Sequence, residues 1–167
     1  MINYLVKTIT VDGFYSEEQA KGISNITYNL SYQSTDLGEE IPNFNLVPPD
    51  MNEMISNILG TKMEVDEESG SFRLPKNFVH FEGFDSTNEW MFVVALQQSM
   101  FNIYEHVSGV SSALQQYKYN YRDMFQWDLI VSHMLKPGQG VLFRPWLFHS
   151  FDSGQIQIFR LKELNES

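Results

Sequence analysis

The chain has 167 residues, 43% hydrophobic and 14% aromatic, with a formal charge of −10 and no cysteine. Its length fits one domain that buries about two-thirds of its unfolded surface, and 13 Phe with 8 Tyr supply the bulk for a β-rich core. Without Cys there are no disulfides, thiol nucleophiles or Cys-bound metals, so a metal must rest on His, Asp and Glu, and 11 scattered Lys and Arg against 21 acids argue against a nucleic-acid backbone as partner.

The opening Met1-Ile2-Asn3-Tyr4-Leu5-Val6-Lys7 lacks the charge and apolar run of a signal peptide, and no later stretch approaches membrane-spanning length. A soluble, cytoplasmic protein acting on a small molecule, peptide or protein is the expectation. Tyr4 to Val11 reads as a strand from its β-branched content. Ser16-Glu17-Glu18-Gln19 forms a capping box that predicts a helix to about Asn29, with its acids where the helix dipole favours them. Residues 33 to 49 hold Gly38, Pro42 and Pro48-Pro49 and read as a long loop. Asp50-Met51-Asn52-Glu53 is a second capping signature, opening a helix with Met54, Ile55 and Ile58 on its apolar stripe and Gly60 as its stop.

From Lys62 onward the pattern changes to short extended segments. Lys62 to Val65 and Ser71 to Leu74 flank an acidic turn, Asp66-Glu67-Glu68-Ser69-Gly70, and predict a hairpin. Further strands are expected at Phe78 to Glu82, Trp90 to Gln97, Met100 to Val107, Trp127 to Met134, Gly140 to Phe148 and Ile156 to Leu161. Residues 108 to 126 fit either a helical turn or a strand, with Tyr117, Tyr119 and Tyr121 at period two. About eight strands at this spacing predict an all-β core, a jelly roll or double-stranded β-helix (residues 61–167), with N-terminal helices packed on it (residues 1–60).

Two constellations carry chemistry. In Phe78-Val79-His80-Phe81-Glu82-Gly83, period two puts His80 and Glu82 on one face of an extended segment. Near the C-terminus, a glycine turn leads through Leu142-Phe143-Arg144-Pro145-Trp146-Leu147-Phe148 to His149. In the following strand Ile156, Ile158, Arg160 and Lys162 share a face, and a guanidinium on a partly apolar face needs an anionic partner, either a protein carboxylate such as Asp128 or a bound one.

In this order of residues the chain resembles the prolyl-hydroxylase-like Fe(II)- and 2-oxoglutarate-dependent oxygenases, whose small versions are common in phage genomes. The resemblance covers roughly residues 70–162; the block Leu142 to Ser150 is its most specific part, and Asn88 to Leu96 is similar to the strand after the family's His-x-Asp pair. It implies that His80, Glu82 and His149 bind Fe(II) and that Arg160 grips the 2-oxoglutarate carboxylate, with Lys162 beside it. Two positions depart from the family pattern: Glu82 stands for an Asp, with Asp85 as the fallback carboxylate, and Lys162 stands for a small hydroxyl residue. The alternatives are a cupin-like metal enzyme using Glu105, His106 or His133, and a barrel without catalysis that serves as a binding or virion-associated structural module.

Overall fold

A computed structural model describes residues 8–41, 46–115 and 123–164 of the chain. Its elements are β1 (Thr8–Val11), α1 (Glu17–Thr27), β2 (Gln33–Thr35), β3 (Gly38–Glu40), α2 (Met51–Leu59), β4 (Met63–Val65), β5 (Ser71–Pro75), β6 (Glu89–Ala95), β7 (Ser99–His106), β8 (Trp127–Leu135), β9 (Gly140–Phe143), β10 (His149–Phe151) and β11 (Ile156–Glu163). They build a large sheet in the order β1-β9-β6-β11-β5-β3-β2, with β4 also on β11, and a small sheet in the order β10-β7-β8. Every pairing is antiparallel. This is the expected double-stranded β-helix with two helices.

The large sheet is covered on both faces, which explains why β6 reads as an unbroken apolar run. Met91, Val93 and Ala95 turn inward to meet Phe101, Ile103, Phe143, Phe148, Phe151, Ile156 and Ile158 between the sheets. Trp90, Phe92 and Val94 turn outward with Leu142, Phe159 and Leu161, where Met51, Ile55 and Leu59 of α2 close over them. Each of these fully buried large side chains contributes about 1.5–3 kcal/mol relative to exposure.

Two buried glutamines join the barrel to the segments before it. Gln157 Nε2 donates to the Leu46 and Gly70 carbonyls while its Oε1 accepts from Tyr15 Oη at 2.7 Å. Gln155 Nε2 lies 2.7 Å from both Thr27 Oγ1 and Tyr32 Oη. In a medium poor in water a buried amide N–H is stable when bonded, as both Nε2 groups are here.

Several expectations are corrected. Residues 33–49 are not a plain loop: β2 and β3 form a short hairpin, and β3 extends the sheet from β5. β4 and β5 do not pair as a hairpin; both lie along β11, at Leu161–Glu163 and Ile156–Ile158, because that strand is long enough to take both in line. The acidic residues between them form a short excursion, fastened where the Asp66 and Gly70 amides donate to the Arg160 and Ile158 carbonyls. Helix α1 starts with the full Ser16–Gln19 capping box, but Asp50 makes no side-chain cap on α2, whose first amide, Met51 N, donates instead to the Pro48 carbonyl. Residues 78–82 hold only an isolated bridge at His80, and the segment Gly140 to Phe148 breaks after Phe143 at a turn that precedes β10. Tyr117, Tyr119 and Tyr121, like the start of the first predicted strand, lie outside the described residues.

Gly138, between β8 and β9, has φ +92°, and an added Cβ would collide with the Tyr15 carbonyl. The Tyr15 amide also bonds the Gly138 carbonyl at 3.2 Å, so the backbone cannot move away freely. Gly138→Ala is expected to cost about 2 kcal/mol and lower the melting temperature by roughly 4–8 °C in a calorimetric scan.

Candidate metal centre

One backbone contact assembles the site. The His80 amide donates to the His149 carbonyl and the His149 amide to the His80 carbonyl, both at 2.9 Å. Residues opposite one another in such an antiparallel pair project to the same side, and here the two imidazole centroids stand 4.4 Å apart. Glu82, two residues on from His80, joins them on that face. The Glu82 amide bonds the Pro145 carbonyl, and a turn closed by Leu147 N to Arg144 O leads into His149.

The same turn leaves the Leu147 carbonyl to accept from His149 Nδ1 at 2.6 Å, while His80 Nδ1 lies 3.1 Å from the Phe78 carbonyl. A carbonyl only accepts, so in the neutral rings the protons sit on Nδ1 and the lone pairs on Nε2. Both Nε2 atoms are buried and have no hydrogen-bond partner. His80, Glu82 and His149 each offer one donor atom, all within 4.8 Å of one another. Among the described residues this is the one group of His, Asp and Glu that converges in this way.

Glu82 is 2% exposed and lies between two guanidiniums, with the His80 ring beside it. Arg73 Nη1 is 2.5 Å from its Oε1, His80 Nε2 is 3.8 Å from that same oxygen, and Arg160 Nη2 is 3.7 Å from Oε2. Burial alone would raise the carboxyl pKa, but the Arg73 charge outweighs it and holds the group well below the ordinary carboxylate range. His149 moves the other way for an imidazole: complete burial, reinforced by the neighbouring His80, pulls it down to about 3. It is neutral at neutral pH, the form that coordinates metals.

Of the residues named from sequence, His80, Glu82, His149 and Arg160 come together. Arg160 also donates from Nη1 to the Gly83 carbonyl at 3.1 Å, so its anion is Glu82 rather than Asp128. Lys162 is exposed on β11, opposite Glu64 and Glu89 in the register. Asp85 is exposed in a turn whose amides bond Glu89. His106 Nδ1 bonds Ser108 Oγ and His133 Nε2 bonds Thr8 Oγ1, and neither belongs to the converging group. Arg73 was not legible as a site residue. Its alternation with Phe72 in Ser-Phe-Arg-Leu-Pro was the only available signal, and it needs the fold before it means anything.

Because His149 is neutral in the fold but protonates below pH 6.5 when unfolded, the unfolded chain binds the extra proton as pH falls, and stability falls with it. Between pH 6.5 and 5.5, above the range where Glu82 begins to lose its own stabilising charge, the metal-free protein should lose about 1 kcal/mol from this ring. His149→Leu removes that component, so urea titrations at the two pH values should show a markedly flatter dependence in the variant. An equal slope in both proteins would contradict this account.

No protein-family model and no curated protein matches the sequence. The similarity is to solved structures. HygX from Streptomyces hygroscopicus with nickel, 2-oxoglutarate and hygromycin B bound superposes with a TM-score of 0.59 at 8% identity, over 94% of this chain and 83% of that one. The non-heme alpha ketoglutarate dependent epimerase SnoN from nogalamycin biosynthesis gives 0.60 at 11%, over 94% and 78%. EctD from S. alaskensis in its apoform gives 0.50 at 14%, over 94% and 73%. At these identities the likeness is one of architecture: the chain has the double-stranded β-helix fold seen in 2-oxoglutarate-dependent oxygenases.

Proposed function

We propose that the chain is an Fe(II)- and 2-oxoglutarate-dependent oxygenase in which His80, Glu82 and His149 hold the metal and Arg160 receives the distal carboxylate of the co-substrate. The observation that carries this reading is the pair of buried, partnerless Nε2 atoms beside a buried carboxylate. An unpaired buried nitrogen costs free energy, and two imidazoles with one carboxylate are the donor set that suits non-haem Fe(II). The likeness to HygX structures solved with nickel and 2-oxoglutarate, or with iron, supports the same choice.

Bound there, iron would supply the oxidising chemistry with dioxygen and the keto acid. The protein's own part is placement and exclusion. The two Nδ1-to-carbonyl bonds keep each imidazole in the tautomer and orientation that present Nε2. Phe101, Phe143 and Phe151 pack against the His149 ring and keep that side apolar and dry. Arg160 is 41% exposed and presents a planar fork to an incoming carboxylate, and Lys162 adds a second positive charge two residues along the strand. The low charge of the Lys and Arg complement favours a small-molecule, peptide or protein substrate over nucleic acid.

A second reading, a barrel that binds but does not oxidise, draws on the Arg73 guanidinium already seated on Glu82. One set of measurements separates the two. The oxygenase reading expects Fe(II)- and 2-oxoglutarate-dependent succinate formation by the purified protein, and His149→Ala should abolish it together with Mn(II)-induced thermal stabilisation. Stabilisation by both ligands with no succinate would select the binding module, and indifference of stabilisation to His149→Ala would remove the metal site altogether. Arg160→Ala should leave Mn(II) binding in place while raising the 2-oxoglutarate concentration needed for half-stabilisation roughly 10- to 100-fold.

A further inference from the structure

We propose that Arg73 is a built-in counter-cation for Glu82: it occupies the carboxylate oxygen facing His80, competes with a divalent metal for it, and is drawn off by Glu40 when the metal enters. The inference rests on the metal-site reading above and concerns what sets the affinity of that site.

Arg73 lies on β5, with Ile156 of β11 on one side in the register and Glu40 of β3 on the other. It is 4% exposed. Its guanidinium spans two carboxylates, with Nη1 2.5 Å from Glu82 Oε1 and Nε 2.6 Å from Glu40 Oε1. The Glu82 oxygen it holds is the one 3.8 Å from His80 Nε2, and so the one nearest to where a metal bound by both residues would sit. Arg160 stands on the other oxygen, at 3.7 Å, and is far more exposed.

The charges explain why two carboxylates are needed. A carboxylate as buried as Glu82 must be neutralised. Without a metal Arg73 does this, and a guanidinium bonded on two edges remains fully charged, with burial opposed by the Glu82 and Glu40 charges. When a divalent ion takes over Glu82, Arg73 would be left as a surplus buried cation unless it keeps a partner. Glu40 is that partner, bonded to a different guanidinium nitrogen, so the fork can release one carboxylate while keeping the other. Glu40 is 31% exposed and retains some solvation, which suits the end of the network that never binds metal.

Opposite effects of the two ends follow. In titrations of the full-length metal-free protein with Mn(II), Arg73→Gln should bind roughly tenfold tighter, since a competing cation within contact distance is gone. Glu40→Gln should bind several-fold weaker, since Arg73 then has Glu82 alone. The Co(II) absorption spectrum of Arg73→Gln should also differ from that of the parent in its ligand-field bands, a change that loss of packing alone would not bring. Unchanged or weaker Mn(II) binding by folded Arg73→Gln overturns the proposal. If that variant does not fold, Glu40→Gln decides, and unchanged or tighter binding overturns it. Failure of the parent and Arg73→Gln alike to take up Mn(II) would bring down the metal-site reading as well; metal uptake by the parent with no opposite response of the two variants would defeat only the role given to Arg73.

Discussion

The pair of reciprocal backbone hydrogen bonds between His80 and His149 is the constraint on which the site depends. Only these bonds and the one from the Glu82 amide to the Pro145 carbonyl fix the register of segment 78–82, and a slip of one residue would send the His80 ring to the opposite face. The turn from Arg144 to Leu147 makes this pairing local. It carries the chain out of β9, presents the Pro145 carbonyl to Glu82, and leaves the Leu147 carbonyl for the His149 ring. Geometry, tautomer and carboxylate placement thus derive from one short stretch of main chain.

Around that stretch the electrostatics are set by burial. A carboxylate and an imidazole removed from water respond in the direction that lowers buried charge or pairs it: His149 stays neutral, while Glu82 stays ionised because the Arg73 guanidinium is seated on it. The cluster is therefore charged through its carboxylate and receptive through its nitrogens, a combination that favours a cation over an anion at its centre.

The strands with long apolar or alternating patterns, β6, β7, β8 and β11, were legible in the sequence, as was α1 through its capping box. So was the placing of His80 and Glu82 on one face, through period two, while their convergence with His149 was what the resemblance to the oxygenases implied. Three kinds of feature were not. The β2–β3 hairpin has three-residue strands, too short for a periodic signal. The in-line placement of β4 and β5 depends on the length of a partner at the far end of the chain, whereas the intervening acidic turn looks locally like a hairpin tip. Arg73 gains its meaning from Glu40 and Glu82, which reach it through tertiary structure and share no motif spacing with it.

The two interior glutamines carry a consequence for how this chain can be shortened. Gln155 and Gln157 sit on β11 near the end of the chain, yet most of the groups bonded to them, Thr27, Tyr32, Tyr15 and the Leu46 carbonyl, precede the barrel. A fragment starting at residue 61 would lose its α2 covering and, in the same cut, leave the Gln155 amide without its two hydroxyl partners and Gln157 with the Gly70 carbonyl alone. The opening third of the polypeptide is thereby a stoichiometric component of the barrel's outer wall, and whatever variation the lineage explores there must keep four donors and acceptors in place.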